Sequence, residues 1–200
     1  MAAAPIVEID PAHPQPRVVE RAVSVLSSGG LLAFPTDTYY GLGCDLFDKR
    51  AIERIYQLKQ LPRSHELSFI CQDLAEIARY AIVENAAYRV LRRKVPGPFT
   101  FILPATRLVP DLMLRRQKTV GIRIPDSPIA LELVKRLGHP IVSTSAAPDI
   151  ERELIENHGW NRPPARCRAS AVPVRRRQVR LFPRSISSRT FWPPFFPISS

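Results

Sequence analysis

Residues 34–45 read FPTDTYYGLGCD, which sets Thr36, Asp37, Thr38 and Tyr40 directly behind the apolar run LLAF. Hydroxyls and backbone N–H groups at the carboxyl end of a strand are placed to grip an anionic ligand. The pattern recurs in PIVSTSA (140–146), where an apolar run opens into Ser143, Thr144 and Ser145. A third segment, TVGIRIP (119–125), sets Arg123 between Ile122 and Ile124, and a strand turns the guanidinium to the face opposite those two. Gathered together, these ends offer hydroxyl donors, backbone amides and one guanidinium, a set that suits a carboxylate or a phosphate. Taken singly, each also reads as ordinary structure: Thr36 and Thr38 as turn residues, Tyr40 as core with its hydroxyl at the edge, Arg123 as an ion pair with Asp126.

Other chemistries find less support. His65 has no partner at metal-ligand spacing, and no Ser-His-Asp or Cys-His arrangement stands out. Cys44, Cys71 and Cys167 are odd in number, far apart and without C-x-x-C spacing, which argues against a disulfide framework and a structural zinc site. Reduced, buried thiols are expected, with no protein-bound metal.

The elements that must position these residues follow from periodicity. PQPRVVERAVSVLSSGG has Val18, Val19, Ala22, Val23 and Leu26 at helical spacing, Pro16 for a first turn and Gly29-Gly30 for a stop, and it feeds the LLAF strand. DKRAIERIYQLKQL repeats the pattern, with Asp48 as N-cap and Ala51, Ile52, Ile55 and Leu58 on one side, ending before Pro62. LSFIC reads as a short strand, DLAEIARYA as a short helix, and ENAAYRVLRRKV as a further helix broken by Pro96-Gly97-Pro98. FTFIL and TVGIRIP are strands, SPIALELVKRLG is a helix capped by Ser127 with Pro128 in its first turn, and PIVSTSA is a strand. This interleaving predicts an α/β (α+β) fold, a twisted, partly parallel mixed sheet flanked by helices.

Two hundred residues with 45% hydrophobic content fit one domain with a real core. No apolar stretch approaches the ~20 residues of a membrane span, and Glu8 and Asp10 stand where a signal peptide carries basic residues, so a cytoplasmic protein is expected. The formal charge of +11 is unevenly spread. Residues 160–200 hold nine arginines and no acidic residue, while in residues 1–159 the other 20 basic side chains face all 18 acidic ones, a balance of only +2. Arg92, Arg93 and Lys94, with Arg115, Arg116 and Lys118, form either solvated charge runs or an RNA-facing patch.

The segments PTDTYYGLGCD, KQLP, PGPFTFIL, TVGIRIPDSPIA and STSA, in this order and spacing over roughly residues 15–157, resemble the YrdC/YciO family. The resemblance implies a YrdC-like twisted sheet with an electropositive concave face. For the YrdC branch it implies synthesis of threonylcarbamoyl-AMP from L-threonine, bicarbonate and ATP with magnesium, for modification of tRNA; tRNA or double-stranded RNA is then a partner. Carried over by position, Thr36, Arg123 and Ser143 hold threonine, the arginine pairing with its carboxylate. Thr119 and Ser145 contact the nucleotide. Lys59, the lysine of the family's K-x-R, is the catalytic cation and neutralises phosphate charge. Positioning and cation stabilisation carry such a transfer, with no covalent intermediate on the protein.

Two positions depart from that pattern. Leu61 stands where K-x-R ends in arginine, and Ala147 where S-x-N ends in asparagine; Arg63 is a substitute for the first only if its direction can be restored. Loss of one charge-assisted contact in such a site costs roughly 10²–10³ in rate, so a YciO-type RNA- or nucleotide-binding protein without synthase activity is the second reading. A damaged gene product is the third, because beyond Trp160 the periodicity ends in an Arg-, Pro- and Ser-rich segment. The division expected is a YrdC-like domain over 1–159, lacking the family's closing strands, and a basic tail over 160–200 that is either disordered, an arm for RNA, or the product of a shifted reading frame.

Overall fold

Alternation of apolar side chains builds a sheet whose two faces are finished differently. A computed structural model describes residues 5–62, 65–114, 117–146 and 178–182. Along the chain come β1 (Ile6–Glu8), α1 (Pro16–Ser27), β2 (Leu31–Phe34), β3 (Gly41–Asp45), α2 (Lys49–Leu58), β4 (Ser68–Ile70), α3 (Leu74–Tyr80), α4 (Asn85–Lys94), β5 (Phe101–Pro104), a 3₁₀ turn at Asp111–Met113, β6 (Thr119–Arg123), α5 (Pro128–Leu137), β7 (Ile141–Ser145) and β8 (Gln178–Phe182). The eight strands form one mixed sheet in the order β1-β8-β2-β3-β7-β4-β6-β5, with β4 and β6 parallel and the other neighbours antiparallel. The predicted mixed sheet flanked by helices is the fold observed.

The helix signals hold in detail. Asp48 accepts from the amides of Arg50 and Ala51, Ser127 caps α5 through the Ala130 amide, Pro16 and Pro128 open their helices, and Gly29 takes φ 79° just beyond α1. On one face, Leu31, Ala33, Leu42, Cys44, Phe69, Val120, Ile122 and Val142 pack with Ala51, Ile52 and Ile55 of α2, Ile77 and Tyr80 of α3 and Leu91 of α4. On the other, Leu32, Phe34, Ile70, Ile141, Val179 and Leu181 meet α1 and α5 through Val19, Leu26, Ile129 and Leu133. This second face is apolar only in part. By register it also carries Gly41, Gly43, Ser143, Ser145, Ser68, Gly121 and Thr119, along with Asp45, Arg123, Ile102 and Pro104. Small and hydroxylic residues therefore floor this part of the face, where Gly41 and Gly43 lie beneath the Phe34 ring and Ser143 is buried.

One expectation is corrected. Residues 178–182, within the segment expected to lack regular structure and closing strands, form β8 between β1 and β2. Its signal is a five-residue alternation in which Val179 and Leu181 are buried, concealed by the Arg- and Pro-rich composition around it. The expectations for Arg63, Arg115, Arg116 and Ala147, and for 160–177 and 183–200, fall outside the described residues.

Candidate functional site

The loop between β2 and β3 crosses the sheet. From β2 to β6 the order runs through β3, β7 and β4, a span of about 19 Å at ordinary strand spacing, yet Asp37 and Thr38 reach Arg123 at the end of β6. Arg123 Nη2 donates to Asp37 Oδ1 at 2.5 Å and to Thr38 Oγ1 at 3.0 Å. The loop is pinned at both ends as well. Ser127, while capping α5, donates its hydroxyl to the Pro35 carbonyl at 3.0 Å, and the Ala146 amide donates to the Tyr40 carbonyl at 2.7 Å. The strap 35–40 thus lies across the small-residue floor, held by α5, β6 and the exit of β7.

Each residue singled out from the sequence has a definite place. Thr36 is buried; its hydroxyl donates to the Tyr39 carbonyl at 2.6 Å and accepts from the Thr38 amide at 3.2 Å, so its proton holds the strap's own turn. Arg123 lies opposite Ile122, as its strand position required, but its acidic partner is Asp37 rather than the Asp126 considered from sequence. Ser143 is buried in β7 between Gly43 of β3 and Ser68 of β4, and its carbonyl accepts from Ser68 Oγ at 3.3 Å. Ser145 stands opposite Gly41, and its carbonyl accepts from Lys59 Nζ at 2.6 Å, so the lysine at the α2 C-cap is drawn to the end of β7. Thr119 begins β6 on the same face as Arg123. The structure therefore joins Arg123 directly to the 36–38 turn and Lys59 to Ser145, while Ser143 lies two strands from Arg123, across β4.

Leu61 has a structural duty. Gln60 adopts φ 51°, the Leu61 amide donates to the Tyr56 carbonyl at 2.9 Å, and the Leu61 side chain packs against the main core. This is the left-handed helix stop with its apolar latch. A leucine serves it well and brings no cation to the floor.

Sequence reasoning missed Asp37 as the partner of Arg123, because the two lie 86 positions apart and only the crossing of the strap unites them. It also missed the floor residues Ser68 and Gly121; a Cβ at Gly121 would sit 3.2 Å from Ser68 Cβ and 3.3 Å from Thr100 Cγ2. The glycine within an alternating strand was the available signal. Away from the floor, at the other ends of β3 and β7, His139 Nε2 lies 3.5 Å from Asp45 Oδ2. Burial opposes the imidazolium, but the Asp45 carboxylate outweighs it and raises the His139 pKa; burial likewise opposes the Asp45 charge, and the bonds from His139 and Phe47 lower its pKa. Burial pushes the Cys44 and Cys71 thiols well above their ordinary range, which leaves both protonated. Among the described residues no three His, Cys, Asp or Glu side chains gather as a metal site, and no helix is long and apolar enough to cross a membrane.

Comparison with known proteins is consistent with this arrangement. A family model named Sua5_yciO_yrdC, described as telomere recombination, matches residues 24–160. The uncharacterised protein YciO of Escherichia coli K12 is 44% identical over 138 residues, covering 68% of this chain and 67% of that protein; the E. coli YciO crystal structure superposes with a TM-score of 0.66 at 43% identity, over 68% of this chain and 66% of that one. The threonylcarbamoyl-AMP synthase of Chromobacterium violaceum is 39% identical over 137 residues, 68% of this chain and 71% of that protein. P. abyssi Sua5, crystallised in complex with L-threonine, superposes with a TM-score of 0.65 at 29% identity, over 72% of this chain and 44% of that one. The chain thus spans about two thirds of the YciO length it matches.

Proposed function

The chain belongs to the Sua5/YciO/YrdC family, and on that premise we propose that it is a threonylcarbamoyl-AMP synthase-like protein that takes L-threonine, bicarbonate and ATP. The observation that carries this reading is the strap itself: a guanidinium held by Asp37 and Thr38 over a floor of glycines and hydroxyls. An amino-acid carboxylate suits the Arg123 end. Thr36 and Ser143 go with that amino-acid end, and a nucleotide suits Thr119 and Ser145, with Lys59 Nζ close by at the Ser145 carbonyl. Magnesium would enter with ATP, as part of the substrate.

The reaction makes modest demands on the protein. The neutral threonine nitrogen bonds to the bicarbonate carbon as water leaves, and a carbamate oxygen then bonds to the α-phosphorus as pyrophosphate departs. Both steps require alignment of ligands and a cation near the developing phosphate charge, the role assigned to Lys59. The product would serve threonylcarbamoyl transfer to tRNA, and the exposed Arg92, Arg93 and Lys94 at the end of α4 are placed to meet a polyanion.

One observation favours a second reading, a YciO-type RNA- or nucleotide-binding protein without synthase activity. Leu61 is committed to the α2 latch where the family pattern carries a second cation. Pyrophosphate release from ATP that requires both threonine and bicarbonate is the expected result and separates the two. Tight, salt-sensitive RNA binding with no such turnover selects the second.

A further inference from the structure

The strap 35–40 is held as one piece from three sides. Thr36 donates to the Tyr39 carbonyl and accepts from the Thr38 amide, closing residues 36–39 on themselves, so the bonds from outside decide where the turn lies. The Ala146 amide holds the Tyr40 carbonyl, a backbone bond that no side chain controls. Arg123 holds Asp37 and Thr38, but a carboxylate arriving at that guanidinium competes with both. The third hold is Ser127, whose hydroxyl donates to the Pro35 carbonyl at 3.0 Å across 92 positions of sequence. Its other bond, accepted from the Ala130 amide as the cap of α5, is 3.4 Å long, the weaker of the two. The cap also has less to do than usual, because Pro128 opens the helix without an N–H. Pro35 is the joint of the strap. It follows Phe34, which is fully buried in the core shared with α1 and α5, and it precedes Thr36. Its ring fixes φ, so ψ alone turns its carbonyl and swings the residues beyond.

We propose that Ser127 is a positioning residue for the strap: by holding the Pro35 carbonyl it sets the one free torsion of the joint, and so keeps Thr36 and its turn where an amino acid is received. The assignment rests on the amino-acid reading given above and adds to it a residue that acts only through the backbone of Pro35. Burial argues for it. Ser127 is 7% exposed, so water competes little for its proton, and the carbonyl it meets is the one whose direction sets the course of the strap. The hold also outlasts ligand binding. When a carboxylate draws on Arg123, the Ser127 and Ala146 bonds still fix the two ends of the strap.

Two variants of the intact protein test this, by calorimetric titration with L-threonine and with α,β-methylene-ATP plus magnesium, and by amide hydrogen exchange. Ser127→Gly removes the donor, while glycine remains an adequate helix cap. Ser127→Thr keeps both roles of the hydroxyl. Ser127→Gly should weaken threonine about fivefold, the ordinary worth of one hydrogen bond. It should also speed exchange at residues 36–40, with nucleotide affinity and exchange in α5 staying within about twofold of wild type. Ser127→Thr should return threonine affinity and strap exchange to wild-type values. Unchanged threonine affinity in Ser127→Gly overturns the assignment, whatever the exchange shows. So does an equal loss of both ligands with faster exchange throughout α5, the signature of a cap alone. If wild type binds no threonine, the amino-acid reading itself falls, and exchange then decides the hold: faster rates at 36–40 in Ser127→Gly sustain it, and wild-type rates overturn it as well.

Discussion

Leu61 shows how one side chain can decide between two functions. Its amide closes the end of α2 on the Tyr56 carbonyl and its side chain rests on the core, next to Gln60 in the left-handed region. Replacing it with arginine exchanges an apolar latch for a cation two residues beyond Lys59. Leu61→Arg should therefore cost about 1–2 kcal/mol of folding free energy through lost burial, visible as a fall of several degrees in the thermal midpoint. On the synthase reading, the same variant should raise threonine- and bicarbonate-dependent pyrophosphate release by roughly tenfold or more, the ordinary worth of one charge-assisted contact. Unchanged turnover despite a folded variant would mean that position 61 does not limit the chemistry.

At the scale of elements, every helix was legible in the sequence, because each carries an apolar stripe at helical spacing and most carry a recognisable cap. Strand β3 was not. No strand was assigned to GLGCD, since glycine is rare in strands, and only the fold gives the reason for it: a Cβ at Gly43 would lie 2.6 Å from the Val142 carbonyl of β7. Gly43→Ala should therefore force β3 and β7 apart and destabilise the protein by about 2 kcal/mol or more, as read by chemical denaturation, whereas a Cβ at Gly121 meets side-chain atoms at 3.2 and 3.3 Å and backbone no nearer than 3.6 Å, so Gly121→Ala should cost less. The far ends of the same two strands carry a pH dependence. The raised His139 pKa gives stability that is complete below its ordinary value of 6.5 and lost as pH rises through the raised value. The lowered Asp45 pKa gives stability present above its ordinary value of 3.8 and lost as pH falls through the lowered one. His139→Gln should thus lose about 1 kcal/mol more between roughly pH 4 and 6.5 than at pH 9, measured by urea denaturation across that range. The site followed the same division. Arg123 announced itself by interrupting an apolar strand, but its partner Asp37 depended on a loop path that no local pattern encodes.

For the whole molecule, the question is what residues beyond 159 contribute. Composition there argued for a tail without regular structure, yet β8 occupies the centre of one half of the sheet, bonded to β1 through Ile6–Glu8 and to β2 through Leu31–Ala33. Val179 and Leu181 lie in the core beneath α1, beside Leu32 and Phe34. Without β8, β1 has no neighbour in the sheet and β2, which carries the PTDTYY strap at its end, becomes an edge. Two buried aliphatic side chains contribute roughly 1.5–3 kcal/mol each, and the loss of two ladders of backbone bonds adds to this, against a whole-domain stability of about 5–15 kcal/mol. A chain ending at residue 159 should therefore melt at least about 10 °C below the full-length protein and aggregate through its newly exposed β2 edge. Because β2 anchors the strap, threonine affinity should fall with it. Differential scanning calorimetry and a threonine titration on the two chains, side by side, provide the check. Equal melting points and equal threonine affinity would show that β8 adds nothing to the sheet and that the basic segment is a true appendage.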